Sequence, residues 1–271
     1  MSIVIITNDR HGVFQRDIIS GVEYIATQSG YDVVVDASAD QSFVYPSLSS
    51  HEISGIIVIA NALDDEQLSS LHALNTPITL VSHRVPGLSI PAVIQNNTDG
   101  IHKLLDYLVE DCGREELVFV QGNMEQHDGI ARQGMVEQRL MHHNLIIPPE
   151  RMLRGDFEAA IARASMREFL QRDIPFDAVI AADYITGCAV VTVLREANIH
   201  SDEVCVVGFG DGQQAADCGL TTVGTDIVEL GQRAARQLVA QIQGTALVGV
   251  TWLTTELIER ESSQVLSASV K

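Results

Sequence analysis

Short runs of β-branched residues recur along this chain, and segments with helical spacing separate them. Clear examples are Ile3–Thr7, Gly55–Ala60 and Val204–Phe209, each almost continuously apolar. A strand that is apolar on both faces belongs in a parallel sheet that helices cover on both sides, and alternating strands and helices build such a sheet. The sequence therefore predicts an α/β fold.

The alternation of strand and helix occurs twice. One series ends at Ala92–Gln95 and a second begins after Asn96-Asn97, so 271 residues predict two similar lobes. The predicted strands are Ile3–Thr7, Tyr31–Val35, Gly55–Ala60, Ile78–Val81, Ala92–Gln95, Leu117–Gln121, Met152–Arg154, Ala178–Ala181 and Val204–Phe209, with a strand-like segment at Val250–Ile258. The predicted helices are Phe14–Ser29, Asp65–Leu74, Thr98–Asp111, Ile130–His143, Ala159–Arg172, Thr186–Ala197 and Ile227–Gln243, the last with Asp226 as N-cap.

The formal net charge of the chain is −19. A field of that sign repels phosphate backbones and anionic membranes, so we expect no direct contact with nucleic acid or membrane. No secretory signal and no membrane-spanning run are found, which predicts a cytoplasmic protein unless a leader has been removed. The four cysteines, Cys112, Cys188, Cys205 and Cys218, lack metal-ligand spacing and are interpreted as reduced thiols.

A glycine-rich loop at Gly208–Gly212 follows a predicted strand but does not fit a dinucleotide site. Position 213 is Gln where the fingerprint requires a third glycine. GxSxG, P-loop and HExxH motifs are also absent from the sequence, so we expect neither an enzyme nor a cofactor. His127, His142 and His143 form the densest histidine group and are interpreted as solvated, with no metal site, because adjacent helix residues do not face one another.

Six stretches, in order along nearly the whole chain, resemble the effector-binding domain of the LacI/GalR family of transcriptional regulators. They are the opening Asp9, Phe14, Gly21 and Gly30-Tyr31; Gln95-Asn96-Asn97 with Gly100; Gly113-Arg114 with the strand that follows; Ala181-Ala182-Asp183-Tyr184; Gly208-Phe209-Gly210-Asp211; and Leu257–Ser262 with its Arg-Glu-Ser end. The resemblance implies two Rossmann-like lobes of the periplasmic-binding-protein-like type, joined by three crossovers, with a small ligand in the cleft between them. The implied lobes are residues 1–96 plus 226–246 and 97–225 plus 247–262, with 263–271 as a tail.

The resemblance also places candidate ligand residues at the carboxyl ends of the strands, where open α/β sheets bind their ligands. A sugar-like or nucleoside-like ligand needs donors and acceptors for its hydroxyls and an aromatic face. Three candidates have structural alternatives: Phe14 as an anchor of its helix, Asp183 as a helix cap and Arg132 as a solvated helix charge. The full set is Asn8, Asp9, Phe14, His83, Arg84, Arg132, Phe157, Asp183, Tyr184 and Asp211.

Several of these positions depart from the family pattern, so the resemblance does not imply an ordinary hexose as ligand. The arginine stands two residues before Gly134, where the family has a spacing of three. A short, serine-rich segment, Asp36–Ser54, predicts a truncated helix between the second and third strands. The replacements are Asp183 for Asn, Tyr184 for Asp, Gly210 for Asp and His83 for Asp.

The leading hypothesis is allosteric sensing, in which the ligand changes the relation of the lobes and a homodimer transmits the change. The family's helix-turn-helix head would precede the first strand, where only Met1 and Ser2 stand, so DNA contact is expected only through a head outside this chain. The alternatives are the sensor module of a larger signalling protein, a solute-binding protein for transport, and an enzyme that uses cleft carboxylates.

Overall fold

The computed structural model describes residues 1–37, 52–60, 62–85, 87–245 and 249–264. They form two compact units: Met1–Gln95 with Asp226–Leu253, and Asn96–Thr225 with the chain from Thr254. The chain passes from one unit to the other three times, as the resemblance implies. The predicted helix truncation falls largely in 38–51 and most of the predicted tail in 265–271, both outside the described residues.

The first unit is a six-stranded sheet with helices on both faces. The elements are β1 (Ser2–Ile6), α1 (Val13–Gln28), β2 (Asp32–Asp36), β3 (Ile53–Ile59), α2 (Asp65–His72), β4 (Ile78–Val81), β5 (Ala92–Gln95), α8 (Ile227–Ile242) and β11 (Val250–Leu253). All neighbouring strands are parallel, in the order β11-β5-β4-β3-β1-β2. Along β1, Ile3 and Ile5 face one core with α1 and α8, while Val4 and Ile6 face a second core with α2.

The second unit repeats this architecture. The elements are α3 (Asn97–Asp106), β6 (Leu117–Gln121), α4 (His127–His142), β7 (Met152–Arg154), α5 (Ala159–Leu170), β8 (Ala178–Ala181), α6 (Tyr184–Glu196), β9 (Cys205–Phe209), α7 (Gln213–Cys218), β10 (Thr221–Gly224) and β12 (Glu256–Ile258). The sheet order is β12-β10-β9-β8-β6-β7. Val118 and Val120 of β6 face a core with α5 and α6, whereas Leu117 and Phe119 face a core with α3 and α4.

The predicted strand-like segment Val250–Ile258 is two strands in two sheets. β11 runs parallel to β5, with Val250 beside Ala92, and therefore belongs to the first unit. The assignment of 247–253 to the second lobe is wrong for the described residues of that range. β12 runs antiparallel to β10, so the second sheet, whose other neighbouring strands are parallel, ends in one antiparallel strand.

Hydrogen bonds within the second unit join the three points where the chain leaves or enters it. The Thr255 hydroxyl donates to the Asn96 carbonyl at 3.1 Å, and the Thr225 hydroxyl donates to the Thr254 carbonyl at 3.0 Å. A Cβ at Gly100 would lie 2.6 Å from Thr255 Cγ2, so this glycine lets α3 approach the returning chain. Thr255 is one of the two residues between β11 and β12, and it is buried.

Two glycines allow α1 and α8 to touch through their backbones in the first unit. A Cβ at Gly21 would lie 2.1 Å from the Val228 carbonyl oxygen, and one at Gly231 would lie 2.2 Å from the Ile18 carbonyl oxygen. Neither backbone can withdraw without moving a whole helix. The pairing of these helices therefore depends on the absence of side chains at both positions.

One prediction on local structure needs correction, and one helix was not predicted. The helix predicted over Thr98–Asp111 is α-helical only to Asp106, and Tyr107–Asp111 continues as a π-helix. α7 was not predicted, because its N-cap is Gly212, which has no side chain to signal a helix start.

The expectation of four reduced thiols is wrong for Cys188 and Cys218, which form a disulfide. Cys188 lies on α6 and Cys218 ends α7, so the packing of these helices brings together residues 30 positions apart. Cys112 and Cys205 are free. No helix in the described parts of the chain has both the length and the apolar character needed to cross a membrane.

Candidate functional site

In the first unit, the predicted residues Asn8 and Asp9 follow β1 and are exposed. Asp9 Oδ1 accepts the backbone N–H of His11 at 2.7 Å, and the Thr7 hydroxyl donates to the Asp9 carbonyl at 3.0 Å. Hydrogen bonds from the backbone of His11 and Gly12 hold the pKa of Asp9 below its usual value. Asp9 is thus a charged acceptor whose position is set by its own loop.

Phe14 lies in the first turn of α1, half-buried against the core that α1 shares with α8. This contact is the one expected of a residue that anchors its helix. Phe14 as a whole remains partly exposed, and ligand contact by this residue stays a prediction.

His83 and Arg84 follow β4 through a backbone turn at Ser82, whose φ of 58° is left-handed. The Ser82 hydroxyl donates to Gln95 Oε1 at 2.8 Å and so links the ends of β4 and β5. His83 is half-buried, with Nε2 3.9 Å from Asp65 Oδ1 on α2, whereas Arg84 is exposed. The two neighbours therefore differ in environment, and Arg84 presents its charge to solvent.

In the second unit, Arg132 reaches from α4 to the end of β8, where Nη1 donates to the Ala182 carbonyl at 2.7 Å. Its guanidinium carbon lies 4.5 Å from the ring centroid of Phe209 and 5.2 Å from that of Phe157, which is cation–π geometry. Burial lowers the pKa of Arg132, while the charges of Asp128 and Asp183 oppose that shift. Arg132 is therefore not the solvated helix charge of the alternative interpretation.

Phe157 lies in the loop after β7, and its ring packs against the backbone that follows β6. A Cβ at Gly122 would lie 2.3 Å from Phe157 Cζ, so the ring takes the place of a side chain at position 122. Asp156 and Phe157 have φ values of 52° and 63°, a left-handed conformation that non-glycine residues rarely adopt. Strained backbone of this kind concentrates at functional sites, which favours a role for Phe157 beyond packing.

Asp183 is the N-cap of α6, as its structural alternative proposed. Its Oδ1 accepts the Thr186 backbone N–H at 2.8 Å and the Thr186 hydroxyl at 2.5 Å. Its side chain is buried, and this burial raises its pKa above the usual value although Thr186 and Arg132 act in the opposite direction. These hydrogen bonds fix the position of the carboxylate. Ligand contact by Asp183 stays a prediction.

Tyr184 lies along the loop that follows β9. A Cβ at Gly210 would lie 3.3 Å from Tyr184 Cδ1, and one at Gly212 would lie 3.7 Å from Tyr184 Cζ. Gly210 also has a left-handed φ of 78°. The tyrosine at 184 and the glycine at 210, both departures from the family pattern, are thus adjacent in the structure, and the ring covers the small residue.

Asp211 is bound within its own unit by Arg260 and Thr222. Arg260 Nη1 lies 2.9 Å from Asp211 Oδ1, and Arg260 Nη2 donates to Oδ2 at 3.0 Å. The Thr222 hydroxyl donates to Oδ1 at 2.8 Å. This forked pair holds the loop beside Tyr184 against β10.

Three residues that contact the candidate residues of the second unit were not predicted as site residues: Phe209, Arg260 and Thr222. The first two stand inside stretches that carry the family resemblance, Gly208-Phe209 and the Arg-Glu-Ser end. Those stretches marked their positions, but only the packing shows that Phe209 covers Arg132 and that Arg260 holds Asp211.

Among the described residues, Asp106, Glu110 and His143 form the one group close enough to share a metal ion. Arg139 already donates to both oxygens of Asp106, at 2.7 and 2.6 Å. Burial raises the pKa of Asp106, but Arg139 and His143 outweigh it and hold the pKa below the usual value. The group is therefore an ion-pair cluster, and the expectation that His143 is solvated is wrong, since its side chain is 9% exposed.

Comparison with known proteins gives one family match and several relatives. The family described as periplasmic binding protein-like domain matches residues 106–263, more than half of the chain. The HTH-type transcriptional repressor CytR of Escherichia coli (strain K12) is 26% identical over 274 residues, covering 98% of this chain and 80% of the relative.

Solved structures share the fold over nearly all of the chain. A dimeric Lac repressor with a C-terminal deletion has a TM-score of 0.84 at 21% identity, covering 98% of this chain and 100% of that one. A complex of the transcriptional regulator CelR with cellobiose has a TM-score of 0.80 at 24% identity, covering 96% and 84%.

Proposed function

We propose that this chain, which belongs to the periplasmic binding protein-like domain family, is the effector-binding domain of a LacI-type regulator, and that its effector is a small polar molecule, sugar-like or nucleoside-like. The relative CytR is a transcriptional repressor, and CelR was solved with cellobiose. We propose no catalytic step and no cofactor for this chain.

The observation that carries the proposal is the Arg132 guanidinium held between Phe157 and Phe209. The rings and the Ala182 carbonyl fix its plane, so the remaining N–H groups form a rigid fork. Such a fork pairs with neighbouring hydroxyls. Aromatic faces beside it suit the apolar face of a sugar or the plane of a base.

We propose that the carboxyl edge of each sheet contributes to effector binding. In the second unit, Arg132 and Asp183 supply charge while Phe157 and Tyr184 supply aromatic surface. Asp211 remains in the set because a carboxylate held by Arg260 retains acceptor capacity. The proposed ligand residues are Asn8, Asp9, Phe14, His83, Arg84, Arg132, Phe157, Asp183, Tyr184 and Asp211.

For the regulator as a whole, we propose a cytoplasmic homodimer that reaches DNA through a separate head domain. The net charge of −19 supports that separation, because this domain repels a phosphate backbone. The effector acts by shifting the population between two states that bind it with different affinity.

The experiment is a thermal-shift screen of the protein with cellobiose, D-glucose, D-ribose, adenosine and cytidine. At one hundred times its Kd, a ligand that binds only the native state adds about 2.7 kcal/mol of stability, which raises Tm by several degrees. Arg132→Met retains side-chain volume but removes the donors, and should weaken the Kd of the active compound by about 10- to 150-fold.

The matched control is Arg163→Met, which removes an exposed arginine from α5 of the same unit and should leave the Kd unchanged. A compound that binds Arg132→Met as tightly as the parent would place the site elsewhere. If none of the five compounds shifts Tm, the proposed ligand class is contradicted.

A further inference from the structure

Cys188 and Cys218 connect the two helices that begin at the second unit's candidate site. α6 begins directly after the capping residue Asp183, and α7 begins directly after Gly212. The cysteine Cα atoms lie 6.0 Å apart, within the usual range for a disulfide. A bond between their sulfurs therefore holds α7, and the Gly210–Gly212 loop before it, against α6.

Each sulfur also has an acceptor in place for its thiol form. Cys188 Sγ lies 3.4 Å from the Gln214 carbonyl oxygen, and Cys218 Sγ lies 3.6 Å from the Ala215 carbonyl oxygen. Once the bond is broken, both thiols can donate to α7 without being left unsatisfied. The same packing thus accommodates the oxidised and the reduced pair, which is the property that reversibility requires.

The two sulfurs also differ in access. Cys188 is 4% exposed, whereas Cys218 is half-buried at the end of a short helix. An external thiol or disulfide can therefore reach Cys218 first, and Cys188 can then act as the internal partner.

The two free cysteines provide a contrast inside the same unit. Cys112 and Cys205 lie 3.8 and 3.7 Å from the carbonyl oxygen of Ser263. Burial raises the pKa of both thiols, that of Cys205 to about 11. Thiols with a raised pKa stay protonated at neutral pH and are poor nucleophiles, and both of these thiols point to the same carbonyl oxygen, so this second pair serves as an internal control.

We propose that Cys188 and Cys218 are a reversible thiol–disulfide pair that sets how firmly α7 and the Gly210–Gly212 loop are held, and that their oxidant is a small disulfide of the glutathione class. The Cys218 thiolate attacks one sulfur of that disulfide, forming a mixed disulfide and releasing one small thiolate. The Cys188 thiolate then attacks Cys218 Sγ and releases the second. Two protein thiols lose two protons and two electrons, and the small disulfide becomes two thiols.

The test equilibrates the whole chain, without effector, in glutathione buffers that range from reducing to oxidising. Free thiols are alkylated in denaturant and the peptides are mapped by mass spectrometry. We expect a Cys188–Cys218 peptide whose fraction follows the buffer ratio from both directions, with Cys112 and Cys205 alkylated throughout. Oxidation should raise Tm by several degrees. It should also slow amide hydrogen exchange across Gln213–Cys218.

The variant pair C188A/C218A should lose the response of Tm to the buffer, and C112A/C205A should keep it. A missing Cys188–Cys218 peptide at the most oxidising ratio, or pairing with Cys112 or Cys205, would overturn the proposal. So would a bond that persists at the most reducing ratio, or equal exchange of α7 in both forms. Because no effector is added, the outcome is independent of the proposed effector.

Discussion

The two units share one strand order but differ in how they treat the carboxyl edge of the sheet. In each sheet, five strands are arranged in an equivalent spatial order. A strand from the C-terminal part of the chain, β11 or β12, lies at one end of that order. In the first unit, Asp9 and Arg84 are exposed at this edge, whereas in the second Asp183 is buried and Arg132 is packed between aromatic rings. The shared strand order therefore brings charged residues to the carboxyl ends of the strands in both units. The neighbouring side chains determine whether those charged groups are hydrated or packed against other residues.

Strands at equivalent positions in the two sheets nevertheless lead into similar local backbone structures. The third strand of each unit leads to a helix capped by aspartate, Asp64 for α2 and Asp183 for α6. The fourth strand of each unit is followed directly by a residue with left-handed backbone, Ser82 after β4 and Gly210 after β9. A repeated architecture thus keeps its local geometry while the chemistry attached to it changes.

The largest effect should come from filling the glycine contact that pairs α1 with α8 in the first unit. Gly231→Ala places a methyl group against the Ile18 carbonyl, which belongs to backbone, and should lower the free energy of unfolding by about 3 kcal/mol. The single tryptophan, Trp252, lies on β11 of that unit, so urea unfolding followed by its fluorescence reports the loss there.

The control for this prediction is Gly249→Ala, since nothing lies within 4 Å of a Cβ at that position. Its free energy of unfolding should stay within about 0.5 kcal/mol of the parent. Equal destabilisation by both substitutions would mean that the helix contact is not what holds the first unit.

A smaller loss should follow from breaking the charge pair that holds the second unit's edge. Arg260→Met leaves the half-buried Asp211 without its forked partner and should cost about 2 kcal/mol of stability, less than a fully buried pair because both side chains retain some exposure. Circular dichroism during urea unfolding measures it. Arg167→Met, which removes an exposed pair with Glu196, should change stability by no more than about 0.5 kcal/mol, and a similar loss in both variants would refute the distinction.

The smallest effect is that the contributions of Asp183 and Asp9 to stability change in opposite directions as pH rises. The folded-state pKa of Asp183 is raised by burial, so the native chain becomes less stable relative to Asp183→Asn as pH rises from about 3.9. The folded-state pKa of Asp9 is lowered, so the native chain becomes more stable relative to Asp9→Asn as pH rises towards about 3.9, and that advantage is lost as pH falls through the folded pKa.

Melting temperatures at pH 3 and pH 7 test this difference, and asparagine keeps the capping function at position 183. From low to neutral pH, the Tm of Asp183→Asn minus that of the parent should rise, and the same difference for Asp9→Asn should fall. Changes of the same sign would show that the two carboxylates do not differ in environment as described.

Much of the fold was accessible from local pattern. The predicted ranges of β4 to β8 match the observed strands residue for residue, because each is a short apolar run bounded by turn residues. Asp226 caps α8 as expected, with its carboxylate accepting the Glu229 backbone N–H at 3.0 Å. Elements lacking a polar or apolar signal, such as α7 after Gly212, were missed.

The candidate site was accessible only in part. Strand ends located Asp183 and Tyr184, since a polar or aromatic residue directly after a predicted strand can be recognised in the sequence. The family resemblance located Arg132 and Phe157. The covering of Arg132 by Phe209, the fork between Arg260 and Asp211, and the bond between Cys188 and Cys218 each join distant segments. The spacing of residues along the sequence does not predict such contacts.

By itself, then, the sequence determined the α/β class, the two series of strands and the positions where polar groups leave the sheets, because these follow from the spacing of apolar residues. Only the tertiary structure decided that Val250–Leu253 belongs to the first sheet and Glu256–Ile258 to the second, and that Arg132 is half-buried against two aromatic rings while Arg84 is exposed. The physical reason is that strand pairing and desolvation depend on which surfaces meet, and residues far apart in the chain supply those surfaces.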